Sequence, residues 1–366
     1  MKIEILRDHL DKAVNIAAKV SNKQLSLPVL GCAVFVATKD RAVLRATNLD
    51  VSIEVVLKAK VLTEGVCAVP AQVLAQTVAA FSDQKLTIEA TETTLKVIGE
   101  RGKSGIATVD ASEFPTLPYV KEGEGVAVRM SSKELGALLK TVSFAAATSS
   151  MRPELASVSL TLDGGELIAA ATDSFRLAEA RLRTKERGQF GPALIPARNI
   201  PEIVRCIEFG AETDVRVSDT QITCITDLGF ITSRTIDGAF PDYRGLIPRE
   251  FMATATALRE DVVRAFRKVQ IFADSFNQVH VRVEPEGQRF SIQSSNAAVG
   301  ETDEHIPASI EGEEVAMNFN AKYITEALAV MGGDSVAFSI AGPGKPMVIE
   351  DAPGRGFLYL VMPMNR

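Results

Sequence analysis

The sequence predicts an α+β protein built from three similar domains. The prediction rests on a repeat of about 125 residues, amphipathic helices that recur in every copy, and alternating strand patterns between the helices. The 366 residues are more than one hydrophobic core usually holds, and they suit several domains. A composition with 46% hydrophobic and 23% charged residues is that of an ordinary folded protein.

One helix recurs after a strand end in each copy. Its three versions are VPAQVLAQTVAAF (69–81), IPARNIPEIVRCI (195–207) and FNAKYITEALAVM (319–331). The starting positions 69, 195 and 319 give offsets of 126 and 124 residues. Pro70 and Pro196 stand where a first helical turn tolerates proline. The spacing therefore predicts three equivalent helices.

A second helix lies earlier in each copy. Its apolar residues follow the i, i+3, i+4, i+7 spacing of a helix with one buried face. The three stripes are Leu10, Ala13, Val14 and Ala17; Leu135, Leu138, Leu139 and Val142; and Val262, Ala265, Phe266 and Val269.

Period-two segments such as VSIEVVL (51–57) and QITCIT (221–226) accompany the helices in each copy. They predict antiparallel strands with one covered face. Phe-Pro pairs at Phe114 and Phe240 lead into polar segments that suit domain boundaries. We therefore place the domains at 1–124, 125–250 and 251–366.

The chain ends on an apolar strand pattern within LYLVMPMNR (358–366). Leu358, Leu360 and Met362 fall on one strand face, opposite Tyr359 and Val361. Chain termini usually fray into polar residues. The pattern therefore predicts that something other than solvent covers the second face.

Targeting and membrane segments are not expected. The first residues, MKIEILRDHLDK, are charged where a signal peptide is apolar, and no apolar run approaches the roughly 18 residues of a membrane span. The sequence predicts a cytoplasmic protein with no membrane partner. Its cysteines lack a CxxC pair, which predicts reduced and mostly buried thiols at Cys32, Cys67, Cys206 and Cys224.

Candidate motifs for catalysis or cofactor binding do not match the patterns that these functions require. Gly102, Lys103 and Ser104 resemble the tail of a phosphate-binding loop, but Val97 stands where GxxxxGK[ST] requires glycine. A hairpin turn is the simpler interpretation. The three histidines are too scattered for a local metal motif, and no GxSxG serine is present. We expect no cofactor, no metal and no enzyme activity; a hydrolase would need an acid–base constellation in a cleft.

Basic residues concentrate on the predicted helices. The net charge of −6 argues against a protein that holds nucleic acid by charge alone. A solvated helix face explains any single basic stripe, but the same bias in three repeats predicts one shared basic surface. Its residues are Lys12, Lys19, Lys133, Lys140, Arg198, Arg205, Arg264, Arg267, Lys268 and Lys322.

Five stretches identify a family. They are LPVLG (27–31), ATDSFRLA (171–178), DGAFPDYRGLIP (237–248), FNAKYI (319–324) and YLVMPMNR (359–366). Through them the chain resembles, along its whole length, the bacterial DNA polymerase III beta subunits, which are sliding clamps. The resemblance implies a head-to-tail homodimeric ring of six domains, with helices lining the hole and antiparallel sheets outside.

The implied function is non-catalytic. A sliding clamp encircles double-stranded DNA without reading its sequence and tethers the DNA polymerase III core, the clamp loader and other clamp-motif proteins. The alternative is a tandem-domain adaptor that binds proteins and never encircles DNA. Fold alone does not separate these functions.

A size estimate supports two chains in the ring. A domain of about 122 residues behaves as a ball roughly 35 Å across, so three in a ring leave a hole of about 5 Å and six leave about 35 Å. Duplex DNA is roughly 20 Å wide. Two chains can therefore encircle it, whereas one cannot.

The resemblance also implies site residues. The protein-binding pocket comprises Leu155, Thr172, Phe175, Arg176, Leu177, Pro241, Leu246, Leu360, Met362 and Met364. The DNA contacts are Lys23, Gln24, Arg152, Arg198 and Arg205. The dimer interface sets Lys96, Arg101 and Lys103 against Glu301, Asp303 and Glu304, with Ile106, Ile271 and Phe272 as an apolar seal.

Three positions depart from the family pattern. Gly245 stands where many relatives place arginine, Phe175 where some place histidine, and Gln24 where arginine is frequent.

The protein-binding pocket implied by the resemblance also explains the apolar pattern at the C-terminus, since a bound partner would cover Leu360 and Met362. Methionine suits such a pocket because its flexible thioether adapts to different side chains.

Overall fold

The computed structural model describes residues 1–21, 27–186, 188–352 and 356–364. The chain forms two compact units: Met1–Gly136 with Arg198–Thr235, and Ala137–Ala197 with Ile236–Arg366. The helices of the described part are α1 (Arg7–Val20), α2 (Ala71–Ala80), α3 (Ser132–Ser143), α4 (Ile200–Ile207), α5 (Arg259–Ile271) and α6 (Ala321–Val330). All six predicted helices are therefore confirmed.

Each helix forms because its apolar stripe finds a sheet or a neighbouring helix to pack on. In α1, Leu10, Val14 and Ala17 are buried, while Lys12 and Lys19 on the opposite face are exposed. Helix α4 begins later than the pattern indicated, because Ala197–Asn199 first make a single 3₁₀ turn. Within the described residues no helix has the length and apolarity to cross a membrane.

Two antiparallel sheets belong to the first unit. The five-stranded sheet has, in spatial order, β5 (Ala59–Thr63), β1 (Lys2–Leu6), β7 (Lys85–Ala90), β8 (Thr94–Ile98) and β9 (Lys103–Ala107). The eight-stranded sheet has β10 (Val126–Ser131), β15 (Glu212–Val217), β16 (Gln221–Thr226), β17 (Gly229–Arg234), β4 (Val51–Leu57), β3 (Ala42–Thr47), β2 (Cys32–Ala37) and β6 (Gly65–Pro70).

Two further sheets belong to the second unit. The nine-stranded sheet has, in spatial order, β14 (Phe190–Pro196), β11 (Ser157–Asp163), β12 (Glu166–Thr172), β13 (Arg176–Arg183), β26 (Phe357–Val361), β25 (Met347–Ala352), β24 (Ser335–Ile340), β18 (Ala253–Leu258) and β22 (Ala308–Gly312). The four-stranded sheet has β21 (Gly300–Ile306), β20 (Arg289–Asn296), β19 (Gln278–Glu284) and β23 (Val315–Asn320).

The two large sheets cross the predicted domain boundaries. Strand β4 of the first repeat pairs with β17 of the second, and β13 of the second repeat pairs with β26 of the third. Both pairs are antiparallel and align five residue pairs. Each junction between repeats is therefore a continuous sheet, while the boundaries after residues 124 and 250 stay predictions.

The expectation of one covered strand face is wrong for β4. Ile53 and Val55 are buried on one face, but Ser52 and Glu54 on the other are buried as well. Glu54 tolerates burial because Arg41 and Arg45 each hold one of its carboxylate oxygens at 2.7 Å. Both polar residues of β4 are thus buried with partners: Glu54 pairs with two arginines whose side chains stay partly exposed, and the Ser52 hydroxyl bonds the Thr47 hydroxyl at 2.8 Å.

Candidate functional site

The candidate protein-binding site is built around a tight turn between β12 and β13. Ser174 adopts a φ of 80°, and the Thr172 hydroxyl donates to the Arg176 carbonyl oxygen at 2.6 Å. The Asp173 carboxylate accepts from the backbone N–H groups of Phe175 and Arg176 at 2.9 and 3.1 Å. These side-chain bonds hold the turn so that the Phe175 side chain points outward, 63% exposed.

The buried side chain of Arg176 holds this turn in place through hydrogen bonds and ion pairs. Its guanidinium is 7% exposed and donates to Asp173 at 2.9 Å, to Glu326 and to the Phe144 carbonyl at 2.9 Å. It also lies over the Tyr323 ring, 4.5 Å from the ring centroid. Burial alone would lower the pKa of Arg176, but the Glu326 hydrogen bond and the nearby negative charges raise it. The cation therefore stays charged and fixes the turn to α6.

Leu177 and Leu360 form the floor of the site. They are cross-strand partners in the β13–β26 pair, and both are 3% exposed. With Ala170 and Tyr243 they make one buried cluster, against which Phe240 and Ile247 pack. The expectation that only a partner would cover Leu360 is wrong, because Tyr243 and its neighbours already cover it.

Tyr243 is a feature that sequence reasoning missed. Its hydroxyl donates to Glu179, which is 3% exposed and also receives a hydrogen bond from Arg181 at 2.7 Å. Burial, followed by the Glu179 hydrogen bond, raises the pKa of Tyr243. The alternating pattern of β13 places Glu179 on the same face as Leu177, and this was the available signal that the carboxylate needed a buried donor.

The accessible part of the site is smaller than the family pattern implies. Phe175 and Leu246 are each 63% exposed and Met362 is 37% exposed, whereas Leu155, Thr172, Arg176, Leu177 and Leu360 are buried. The Met362 N–H donates to the Phe175 carbonyl at 2.8 Å, so these two residues are neighbours at the end of the β13–β26 pair. Pro241 and Met364 are half-buried. A side chain at Gly245 would meet open space.

The predicted DNA-contact arginines already hold carboxylates. Arg198 pairs with Asp50 at 2.8 Å, and Arg205 pairs with Glu202 at 2.6 Å. Arg152 pairs with Glu154 at 3.1 Å. Lys23 and Gln24 lie outside the described residues. The three arginines therefore present weaker positive fields than their charges alone would give.

The predicted interface residues lie at two sheet edges. Strand β9 ends the five-stranded sheet and β21 ends the four-stranded one. Arg101 and Lys103 are exposed beside or on β9, while Lys96 on β8 is half-buried. On β21, Asp303 holds Arg289 at 2.6 Å and Glu304 holds Lys268 at 2.9 Å. Glu301 on the same strand is exposed.

The apolar seal is only partly accessible. Ile271 is 65% exposed and Phe272 is half-buried, but Ile106 is 5% exposed. Strand alternation turns Ile106 toward α2, together with the buried Leu95 and Val97 of the neighbouring strand. Ile106 therefore belongs to the core of its own chain, and its assignment to an exposed apolar contact is wrong.

The structure contains the hairpin turn and the buried thiols that the sequence predicts. The Gly102-Lys103-Ser104 segment follows a hairpin turn closed by a bond from the Gly99 N–H to the Gly102 carbonyl at 2.9 Å, and it continues as β9. All four cysteines are buried free thiols. Burial raises the pKa of Cys32 and Cys67 to about 11 and that of Cys206 and Cys224 to about 12. Across the described ranges no His, Cys, Asp and Glu side chains gather as a metal site would need.

Comparison with known proteins decides the family. The profile described as the N-terminal domain of the DNA polymerase III beta subunit matches residues 1–118. Those of the central and C-terminal domains match residues 129–242 and 244–365. The chain belongs to the DNA polymerase III beta subunit family. The sliding-clamp prediction is thereby confirmed, and the comparisons support it over the tandem adaptor.

Individual relatives agree over the full length. The beta sliding clamp of Caulobacter vibrioides is 29% identical, and the alignment covers 100% of each chain. The crystal structure of the Pseudomonas aeruginosa DNA polymerase III beta subunit superposes with a TM-score of 0.91 at 25% identity, covering 100% of each chain. A Pseudomonas aeruginosa sliding clamp bound to griselimycin gives a TM-score of 0.92 at 26% identity over the same coverage. The three-domain clamp fold is therefore confirmed.

Proposed function

We propose that two copies of this chain close head to tail into a ring that encircles duplex DNA and acts in the cytoplasm as a non-catalytic processivity factor. The observation that carries the proposal is the way the repeats are joined. At both junctions inside the chain, the third strand after the first helix of one repeat pairs with the last strand of the next repeat. These pairs are β4 with β17 and β13 with β26.

Two strands hold the corresponding positions without such a partner in the described chain. By order in the repeat, β21 is the counterpart of β4 and β13, and β9 is the counterpart of β17 and β26. Both lie at sheet edges, where unpaired backbone N–H and C=O groups invite another strand. Pairing β21 of one copy with β9 of a second copy would repeat the internal junction and close a six-domain ring.

Side chains at these edges favour the same pairing. Arg101 and Lys103 are exposed on one side, and Glu301 is exposed on the other. Since Asp303 and Glu304 already hold cations of their own chain, they contribute less than their charges suggest. Exposed ion pairs supply about 0–1 kcal/mol each, so the seal rests on strand pairing and on the apolar surface of Ile271 and Phe272.

The proposed grip on DNA is weak and independent of sequence. Arg152, Arg198 and Arg205 are 62%, 63% and 40% exposed in their side chains, and each shares its charge with a carboxylate. Phosphate contacts of this kind position a protein without reading bases. A ring that is topologically linked to DNA needs no tighter binding, and many tight contacts to phosphates would oppose sliding.

Partner proteins are proposed to dock at Phe175, Leu246 and Met362, above the floor of Leu177 and Leu360. All three exposed side chains are apolar. Phe175 and Met362 lie two residues from Leu177 and Leu360 on the same strand face, and Leu246 precedes Ile247, which packs on the same cluster. We assign the polymerase III core, the clamp loader and other clamp-motif proteins to this pocket. The raised thiol pKa values disfavour a cysteine nucleophile, which needs a low pKa.

Light scattering separates the ring from the adaptor. A clamp should give a mass near twice 39.3 kDa. The variant Arg101→Glu/Lys103→Glu should shift the sample toward monomer, because like charges would face Glu301 across the proposed edge. The matched control Lys39→Glu/Lys121→Glu reverses two exposed lysines away from β9 and should stay dimeric. A dimer that survives the first variant unchanged would refute the edge assignment.

A further inference from the structure

The turn at the start of β13 has a close copy at the start of β4. In ATNLDVSIE (46–54) and ATDSFRLAE (171–179), threonine and glutamate recur at the same spacing. Leu49 has a φ of 75° where Ser174 has 80°. The Leu49 N–H donates to the Thr47 hydroxyl at 3.0 Å, as the Ser174 N–H does to Thr172 at 3.1 Å.

The remaining bonds of the turn are repeated too. The Asn48 side-chain oxygen accepts from the N–H groups of Asp50 and Val51 at 3.0 and 2.8 Å, matching the bonds made by Asp173. The Arg234 N–H donates to the Asp50 carbonyl at 2.9 Å, matching the bond from Met362 to Phe175. The first junction therefore carries the same backbone arrangement as the candidate protein-binding site.

A cleft occupies this position at the first junction. It has a volume of about 610 Å³, within the usual range for ligand sites. We call it the first-junction cleft, and its principal lining residues are Thr47, Leu49, Leu117, Gln221, Arg234 and Thr235. The extended segment Pro115–Pro118 forms one wall, in the place that the 241–246 segment takes at the other junction.

The chemistry of this cleft is different. Arg234 stands where the other junction has Met362, and Ser52 where it has Leu177. Arg234 is exposed, and within the described chain no carboxylate lies within 4.0 Å of its guanidinium. Asp50, the acidic residue of the turn, pairs with Arg198 at 2.8 Å. The cleft thus presents one unpaired cation, several hydroxyls and the 46%-exposed Leu49.

We propose that the first-junction cleft is a second peptide-binding site, which takes a short extended peptide carrying one carboxylate next to an aliphatic side chain. Arg234 binds the carboxylate through its planar fork of N–H donors. Leu49 and Leu117 contact the aliphatic side chain, and the exposed hydroxyls of Thr116 and Thr220 bond the peptide backbone. Among the described residues the cleft has one cation and no series of bases, which disfavours a nucleic-acid strand, because its phosphates would each need a partner.

Phage display on the intact chain, followed by calorimetry, tests this proposal. Heptapeptides selected on the wild-type chain are measured against Arg234→Ala, Arg234→Lys, Arg183→Ala and Met362→Ala. Arg183→Ala is the matched control, since it removes an arginine whose side chain is 93% exposed and which does not line the cleft. Arg234 is exposed, so its replacement should leave the melting temperature unchanged, and a melting curve verifies this.

The expected result is a class of acidic peptides whose affinity falls at least tenfold in Arg234→Ala, recovers in part in Arg234→Lys, and is unchanged in the other two variants. Peptides that all depend on Met362 and none on Arg234 would overturn the proposal while leaving the proposed function intact. Selection of no acidic peptide would overturn it as well. So would an Arg234-dependent affinity for a dT15 oligonucleotide that exceeds that of every selected peptide.

Discussion

Replacing Arg176 by methionine tests whether one buried cation holds the protein-binding turn in place. Methionine keeps much of the side-chain volume and removes the charge. The change leaves Asp173 and Glu326 without their shared cation and the Phe144 carbonyl without its donor. Removing one partner of a buried ion pair costs about 3–5 kcal/mol.

The lower end of that range applies here. The side chain of Glu326 is 33% exposed and that of Asp173 is 15% exposed, so water can solvate part of the freed negative charge. A loss of about 3 kcal/mol corresponds to a fall of roughly 6–12 °C in melting temperature for a unit of 150–250 residues. Partner-peptide affinity should fall too, because the turn that presents Phe175 loses its anchor.

Differential scanning calorimetry with a matched control measures this effect. Arg264→Met also removes an arginine that contacts two carboxylates, Glu260 and Asp261, but its side chain is 62% exposed. Such a pair contributes about 0–1 kcal/mol, so the control should lose less than about 4 °C. Equal losses in the two variants would refute the argument that burial makes Arg176 special.

Three further predictions follow from buried polar groups and thiols. Tyr243→Phe should destabilise the chain by about 1–3 kcal/mol in urea unfolding, because Glu179 loses a buried donor; an unchanged midpoint would contradict this role. Burial raises the pKa of Glu350, so its ionised form destabilises the folded state once the pH exceeds the ordinary glutamate pKa of about 4.5 that the group has in the unfolded chain. Glu350→Gln should therefore stabilise the chain at pH 7 and leave stability unchanged near pH 3, and an equal gain at both pH values would exclude this cause. Native protein at pH 7.5 should show almost no reaction with a thiol reagent and four reactive thiols after denaturation, whereas fast native labelling would contradict burial of the cysteines.

Much of the architecture was readable from the sequence because hydrophobic periodicity reports which faces are buried. The stripe Leu10, Val14 and Ala17 predicted α1, and its burial is confirmed. Alternation in 51–57 predicted a strand, but it could not show that Glu54 is buried. That depends on Arg41 and Arg45, which come from a neighbouring strand and the turn before it.

The site was less predictable than the fold. The family motifs named Phe175 and Met362, but the sequence gives no sign that Leu360 is covered by Tyr243, since 117 residues separate the two positions. Ile106 was predicted to join the apolar contact of the dimer interface, yet strand alternation turns it inward. Ion pairs such as Arg198 with Asp50 join residues 148 apart and alter the charge that a helix face presents.

Topological retention on DNA tests the central claim most directly. The chain is loaded onto nicked circular plasmid by a clamp loader and separated from free protein by gel filtration. Retained dimer that is lost when a single-site nuclease linearises the plasmid is the result predicted for a closed ring of two chains. Retention that is equal on circular and linear DNA, or that is carried by a single chain, would contradict it.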